Sequence, residues 1–121
     1  MSFRNDRVRV VSVWPLPQMP EQELANEVQN FLKLPIVQQN LLKFDLSLAN
    51  GALDETLQSL GIQKPKLNCV VIVEAETYEK INEIVRDPAF QKIFQGAGQH
   101  GHMDINSNVC FSADFMTGID K

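Results

Sequence analysis

"LKFDLSLAN" (Leu42–Asn50) alternates without a break. Leu42, Phe44, Leu46 and Leu48 are apolar, and Lys43, Asp45, Ser47 and Ala49 between them are polar or small. Side chains of a strand point alternately to its two faces, so this pattern predicts a strand with one apolar and one more polar face. Asn50-Gly51 breaks it. In "ALDETLQSLG", Leu53, Leu57 and Leu60 recur at helical spacing and Gly61 is a natural stop, so a short helical insert is expected between two strands.

"LNCVVIVEAE" follows, with β-branched residues from Val70 to Val73 at its centre, and predicts a further strand. Thr77 is placed to cap a helix with Ile81, Ile84 and Val85 on its apolar face. Asp87-Pro88 restarts that helix, Phe90, Ile93 and Phe94 continue its burial, and Gly96 is expected to end it. "NVCFSADFMTG" predicts the last strand. Upstream, "RVRVVSVWPLP" predicts a strand over about Arg7 to Trp14, stopped by Pro15 and Pro17. "QMPEQELANEVQNFLKLP" predicts a helix: Pro20 suits its first turn, Glu21 and Glu23 suit its positive end, and Leu24, Val28, Phe31 and Leu32 form its stripe. Pro35 disfavours helix through Leu34.

The order strand, helix, strand, short helix, strand, helix, strand predicts an α+β fold: the ferredoxin-like βαββαβ arrangement, a four-stranded antiparallel sheet with helices on one face. The 121 residues are expected to form a single domain, 1–121, and a hydrophobic share of 44% suffices for a core. The net charge of −4 is spread without blocks, which argues against a nucleic-acid partner. No run approaches the roughly 20 apolar residues of a membrane span, and no apolar signal core opens the chain. Cys69 and Cys110 lie in apolar runs without a C-x-x-C motif, so the expected setting is cytoplasmic.

Helices on one face leave the other bare. With Leu42, Phe44, Leu46, Leu48, Val109, Phe111, Ala113 and Phe115 assigned to the helix-packed core, period two sends Lys43, Asp45, Ser47, Cys110, Ser112, Asp114 and Met116 to the opposite face. That mixed set suits the wall of a semi-polar cavity, and a second copy of the chain is the simplest cover for it. For Trp14, Cys69 and Val71, either face is open.

Together with this order, "FLKLPIV", "VVIVEAETYEKINEIVRDPAF" and "NVCFSADF" resemble the dimeric α+β barrel superfamily, and within it the EthD-like proteins. The resemblance implies a homodimer and cofactor-independent chemistry on a small aromatic or polyketide-like ligand, of cyclase, decarboxylase or oxygenase type. No cofactor is expected. The family's H-x-P-L-V pattern has its histidine where this chain has Lys33, so a role for that histidine does not transfer.

"QGAGQHGHMDINSN" (Gln95–Asn108) holds both histidines, His100 and His102. Two readings stand. In one, the loop folds over a cavity mouth, His100 or His102 moves a proton, Asp114 or Asp45 orients it, and Trp14 and Tyr78 hold a ring. Ser47, Cys110, Ser112 and Met116 then complete the substrate wall, and the two carboxyls gain perturbed acidity by burial. In the other, the loop is exposed and the protein is a non-catalytic dimeric barrel that binds a hydrophobic compound or serves as a stress or structural protein. "HGHMD" offers His-x-His plus Asp, but two histidines alone make no fuller cluster, so no metal is expected.

Overall fold

A computed structural model of the chain describes residues 2–15, 19–64, 68–99 and 108–121. The elements are β1 (Val8–Pro15), α1 (Glu21–Leu32), α2 (Pro35–Asn40), β2 (Leu41–Leu48), α3 (Asp54–Gln58), β3 (Asn68–Ala75), α4 (Tyr78–Arg86), α5 (Pro88–Gln99) and β4 (Val109–Ala113). The four strands make one antiparallel sheet in the order β2-β3-β1-β4. Helices cover one of its faces, which is the predicted ferredoxin-like arrangement.

Local chemistry sets the helix starts. The Thr77 hydroxyl accepts from the Lys80 N–H at 3.3 Å and opens α4. Asp87 Oδ1 accepts from the N–H groups of Ala89 and Phe90, at 2.9 and 3.2 Å, and opens α5 with Pro88 in its first turn. Two expectations are corrected. The helix breaks before Pro35 as predicted, but Pro35 then begins a further helix, because its fixed φ and missing N–H suit a first turn. Helix α5 also runs past Gly96 to Gln99; glycine weakens a helix interior by about 1 kcal/mol without forbidding it. Buried Asn40 then ties α2 to α4 by donating to the Lys80 carbonyl at 2.9 Å and to Glu83 Oε2 at 2.7 Å.

Strand register fixes which residues share a face. On the helix-covered side lie the rows Phe44–Val73–Val10–Ser112, Leu46–Val71–Ser12–Cys110 and Leu48–Cys69–Trp14. On the open side lie Lys43–Glu74–Arg9–Ala113, Asp45–Ile72–Val11–Phe111 and Ser47–Val70–Val13–Val109. The expected face of β2 agrees with this register from Phe44 to Leu48; Leu42, expected in the core, falls in a register shift between Leu41 and Lys43 and is exposed, and Leu41 lines the cavity instead. The expected faces of β4 are exchanged: Cys110 and Ser112 face the helices, and Val109, Phe111 and Ala113 face outward. The apolar side of β4 belongs to the open face, which is itself apolar at its centre.

The other end of the open face is charged. Glu74 is buried, its side chain 3% exposed, and accepts from Arg7 at 3.0 Å and from Arg9 at 2.9 and 2.6 Å. Burial pushes its carboxyl up. The hydrogen bonds from Arg7 and Arg9 and the charges of Arg9 and Lys43 outweigh that and hold it below its ordinary value. Arg9 also stacks over buried Phe115, 3.7 Å from the ring centroid.

Candidate functional site

The helix-covered rows do not close completely against the helices. A cavity of about 640 Å³ remains between the sheet and α1, α4 and α5, within the range of pockets that hold small molecules. Five aromatic side chains form an arc along it. Phe44 of β2 meets Phe31 of α1 with centroids 5.5 Å apart, and Phe31 meets Phe90 of α5 at 6.0 Å. Phe90 stacks on Phe94 at 5.8 Å, and Phe94 meets Trp14 of β1 at 6.2 Å. The spacings and tilts are those that ring quadrupoles favour. Leu46, Val71 and Val73 supply an aliphatic floor.

Polar groups gather toward the β1–β4 side. Ser12 donates to the Cys110 sulfur at 3.2 Å, a cross-strand pair on the cavity floor. Asn108, immediately before β4 and two residues ahead of Cys110, also lines the cavity. Its Oδ1 is buried and accepts no hydrogen bond from the described residues. Gln91 and Gln95 of α5 and Glu27 of α1 add further polar lining. Cys69, 1% exposed, lies beside Trp14, and burial pushes its thiol above the ordinary value. It is a packed, protonated group rather than a nucleophile.

The sequence-predicted site residues divide. Trp14 and Cys110 line the cavity. Ser112 shares their face, one row further along β4, and is exposed. Asp45 and Ser47 are exposed on the open face of edge strand β2, across the sheet from the cavity. Asp114 follows β4 at the opposite edge, so the two carboxylates are neither neighbours nor buried. Met116 and Tyr78 are exposed and are not among the lining residues. His100 and His102 lie outside the described residues. Lys33 is exposed at the C-cap of α1. Among the described residues no group of three or more His, Cys, Asp or Glu is placed to hold a metal ion, and no helix is long and apolar enough to cross a membrane.

The cavity thus lies on the covered side of the sheet, not the bare side where the sequence reading expected it. Glu27 and Asn108 are members that reading missed. The signal for Glu27 was present: it stands three residues after Leu24 and four before Phe31, a carboxylate within an apolar helical stripe. Helical spacing marks Phe31, Phe90 and Phe94 only as buried positions. That they leave space between them is not a property of periodicity.

No family model matches the chain, and no curated protein matches it by sequence. Solved structures share its fold. A hydroxynitrile lyase from Passiflora edulis superposes with a TM-score of 0.65 at 6% identity, over 97% of this chain and 100% of that one. A dimeric protein of unknown function and ferredoxin-like fold from Bacteroides fragilis gives 0.58 at 13% identity, over 94% and 100%. A cofactor-independent oxygenase from Streptomyces nogalater, in a mutant form, gives 0.53 at 12% identity, over 95% and 96%. At these identities the likeness is one of fold.

Proposed function

We propose that the protein is a cofactor-independent enzyme of cyclase, decarboxylase or oxygenase type, acting on a small aromatic or polyketide-like compound held in the cavity between sheet and helices. The observation that carries this reading is the arc Phe44–Phe31–Phe90–Phe94–Trp14, which gives a planar ligand ring faces and edges along its length. A ferredoxin-like fold serves many functions, so the solved neighbours lend it only support: one is an oxygenase without cofactor and one a lyase.

In this reading His100 or His102 gives or takes the proton. Both belong to the segment between α5 and β4; Gln95 in the last part of α5 and Asn108 just before β4 line the cavity. Glu27 is the one carboxylate among the described lining residues and is the second candidate for proton transfer. A second copy of the chain covers the open sheet face. The apolar centre of that face supports this, with Val109 58% and Phe111 49% exposed, and so does the dimeric description of a solved neighbour.

The predominance of apolar lining favours a second reading, a dimeric barrel that binds a hydrophobic compound without transforming it. One experiment separates the two. A panel of phenolic acids is screened for a rise in melting temperature, since a ligand of the native state alone must stabilise it. Each binder is then incubated with wild type, His100→Ala, His102→Ala and Glu27→Gln. Turnover lost in one variant with binding kept supports the enzyme. Binding without turnover in wild type supports the binding protein.

A further inference from the structure

We propose that Asn108 is the specificity-determining residue of the cavity: its side-chain oxygen accepts a hydrogen bond from a hydroxyl on the ligand, whose aromatic body lies along the phenylalanine arc. This rests on the reading of the cavity as a ligand site and adds the ligand's orientation. Asn108 lines the cavity, and its Oδ1 is buried without a donor among the described residues. A buried acceptor left unpaired is costly, so such an atom in a cavity-lining side chain marks where a donor belongs.

Among the described residues none donates to it. The Ser12 hydroxyl is committed to the Cys110 sulfur at 3.2 Å. The Gln91 amide donates to the Val85 carbonyl at 3.2 Å. The polar groups of β1 and β4 occupy one side, while Phe31, Phe44 and Leu46 occupy the other. A ligand with one hydroxylated edge and one bare edge therefore has a single favourable direction. An ether at the same position, an acceptor only, meets Asn108 Oδ1 with no proton to share.

The test is equilibrium dialysis with 2-naphthol and 2-methoxynaphthalene, which share a ring system and differ in the donor. The quantity read is the ratio of their affinities. Asn108→Leu and Asn108→Ala are each expected to lower that ratio about tenfold relative to wild type. Asn108→Asp keeps an acceptor and is expected to keep the preference for the hydroxyl. The urea midpoint of Asn108→Leu should match or exceed that of wild type, because an unpaired buried acceptor is removed. A ratio unchanged in both the Leu and Ala variants overturns the assignment while leaving the cavity a ligand site. If neither probe binds wild type, the ligand site itself falls, and this inference with it.

Discussion

The indole of Trp14 meets the ring of Phe94 edge to face, with centroids 6.2 Å apart and planes inclined at 66°. One comes from the interior strand β1 and the other from helix α5, so the contact joins sheet to helix at one end of the aromatic arc. At the other end Phe31 does the same for α1, touching both Phe44 and Phe90. The arc therefore serves both as packing and as a cavity wall, and its members should influence stability and binding together.

Phe31→Ala is expected to destabilise the protein by about 2–3 kcal/mol, below the range for a wholly buried phenylalanine because Phe31 is half-buried. The same change should weaken binding of 2-naphthol. Urea unfolding and dialysis measure the two effects. A loss under about 0.5 kcal/mol would show that the arc does not hold α1 to the sheet.

Glu74 gives the protein a defined acid sensitivity. Its folded-state pKa lies below the ordinary glutamate value, so its contribution is complete above that value and disappears as the pH falls through the folded one. Glu74→Gln should cost about 2 kcal/mol at neutral pH, less than for a fully buried pair because Arg7 and Arg9 are 27% and 23% exposed. The gap between wild type and variant should narrow in urea titrations taken from pH 7 to pH 3. A gap independent of pH would remove the carboxylate's charge from the account.

The two thiols should differ sharply. Cys110 is exposed and Cys69 is 1% exposed, with its thiol held protonated. Strand β1 separates their strands, and Cys69 pairs with Trp14 while Cys110 pairs with Ser12, so they stand roughly 12 Å apart, beyond the reach of a disulfide. N-ethylmaleimide should add one equivalent to the native protein, at Cys110, and a second only in denaturant. Mass spectrometry of the intact protein counts them. Rapid labelling of Cys69 in the native state would contradict its burial.

The open sheet face yields a prediction about assembly. Phe111→Glu places a charge beside Val11 in its central row, where the residue is 49% exposed in a lone chain. Sedimentation should find wild type as a dimer and the variant as a folded monomer. A wild-type monomer at tens of micromolar would leave that face without the proposed cover.

Alternation and capping made most of the architecture legible in the sequence. Thr77 and Asp87 cap the helices they were expected to cap, and Phe44 and Leu46 face the helices as their alternation implied. Strand β4 went the other way for a physical reason. Period two separates Val109 and Phe111 from Cys110 and Ser112, but it does not say which set faces the helices. The rule that the more apolar set is core holds for β2, whose outer residues are Lys43, Asp45 and Ser47. It fails for β4, where Val109 and Phe111 face outward and Cys110 and Ser112 face the helices. Asp45 and Ser47 do lie on the open face, as alternation implies; they miss the cavity because it lies on the other side of the sheet. The empty space itself depends on how far α1 and α5 stand from the sheet, which residue spacing does not encode.

The central claim is that the space between sheet and helices receives an aromatic ligand, and Trp14 reports on it directly. It is the chain's only tryptophan, so its indole N–H gives a single cross-peak in a ¹⁵N–¹H correlation spectrum, and it lines the cavity at 8% exposure. On titration with 2-naphthol that peak should shift saturably, together with the backbone signals of Phe94 and Cys110. A Trp14 indole signal that stays fixed to the solubility limit of the probe, whether or not surface amides move, would contradict it.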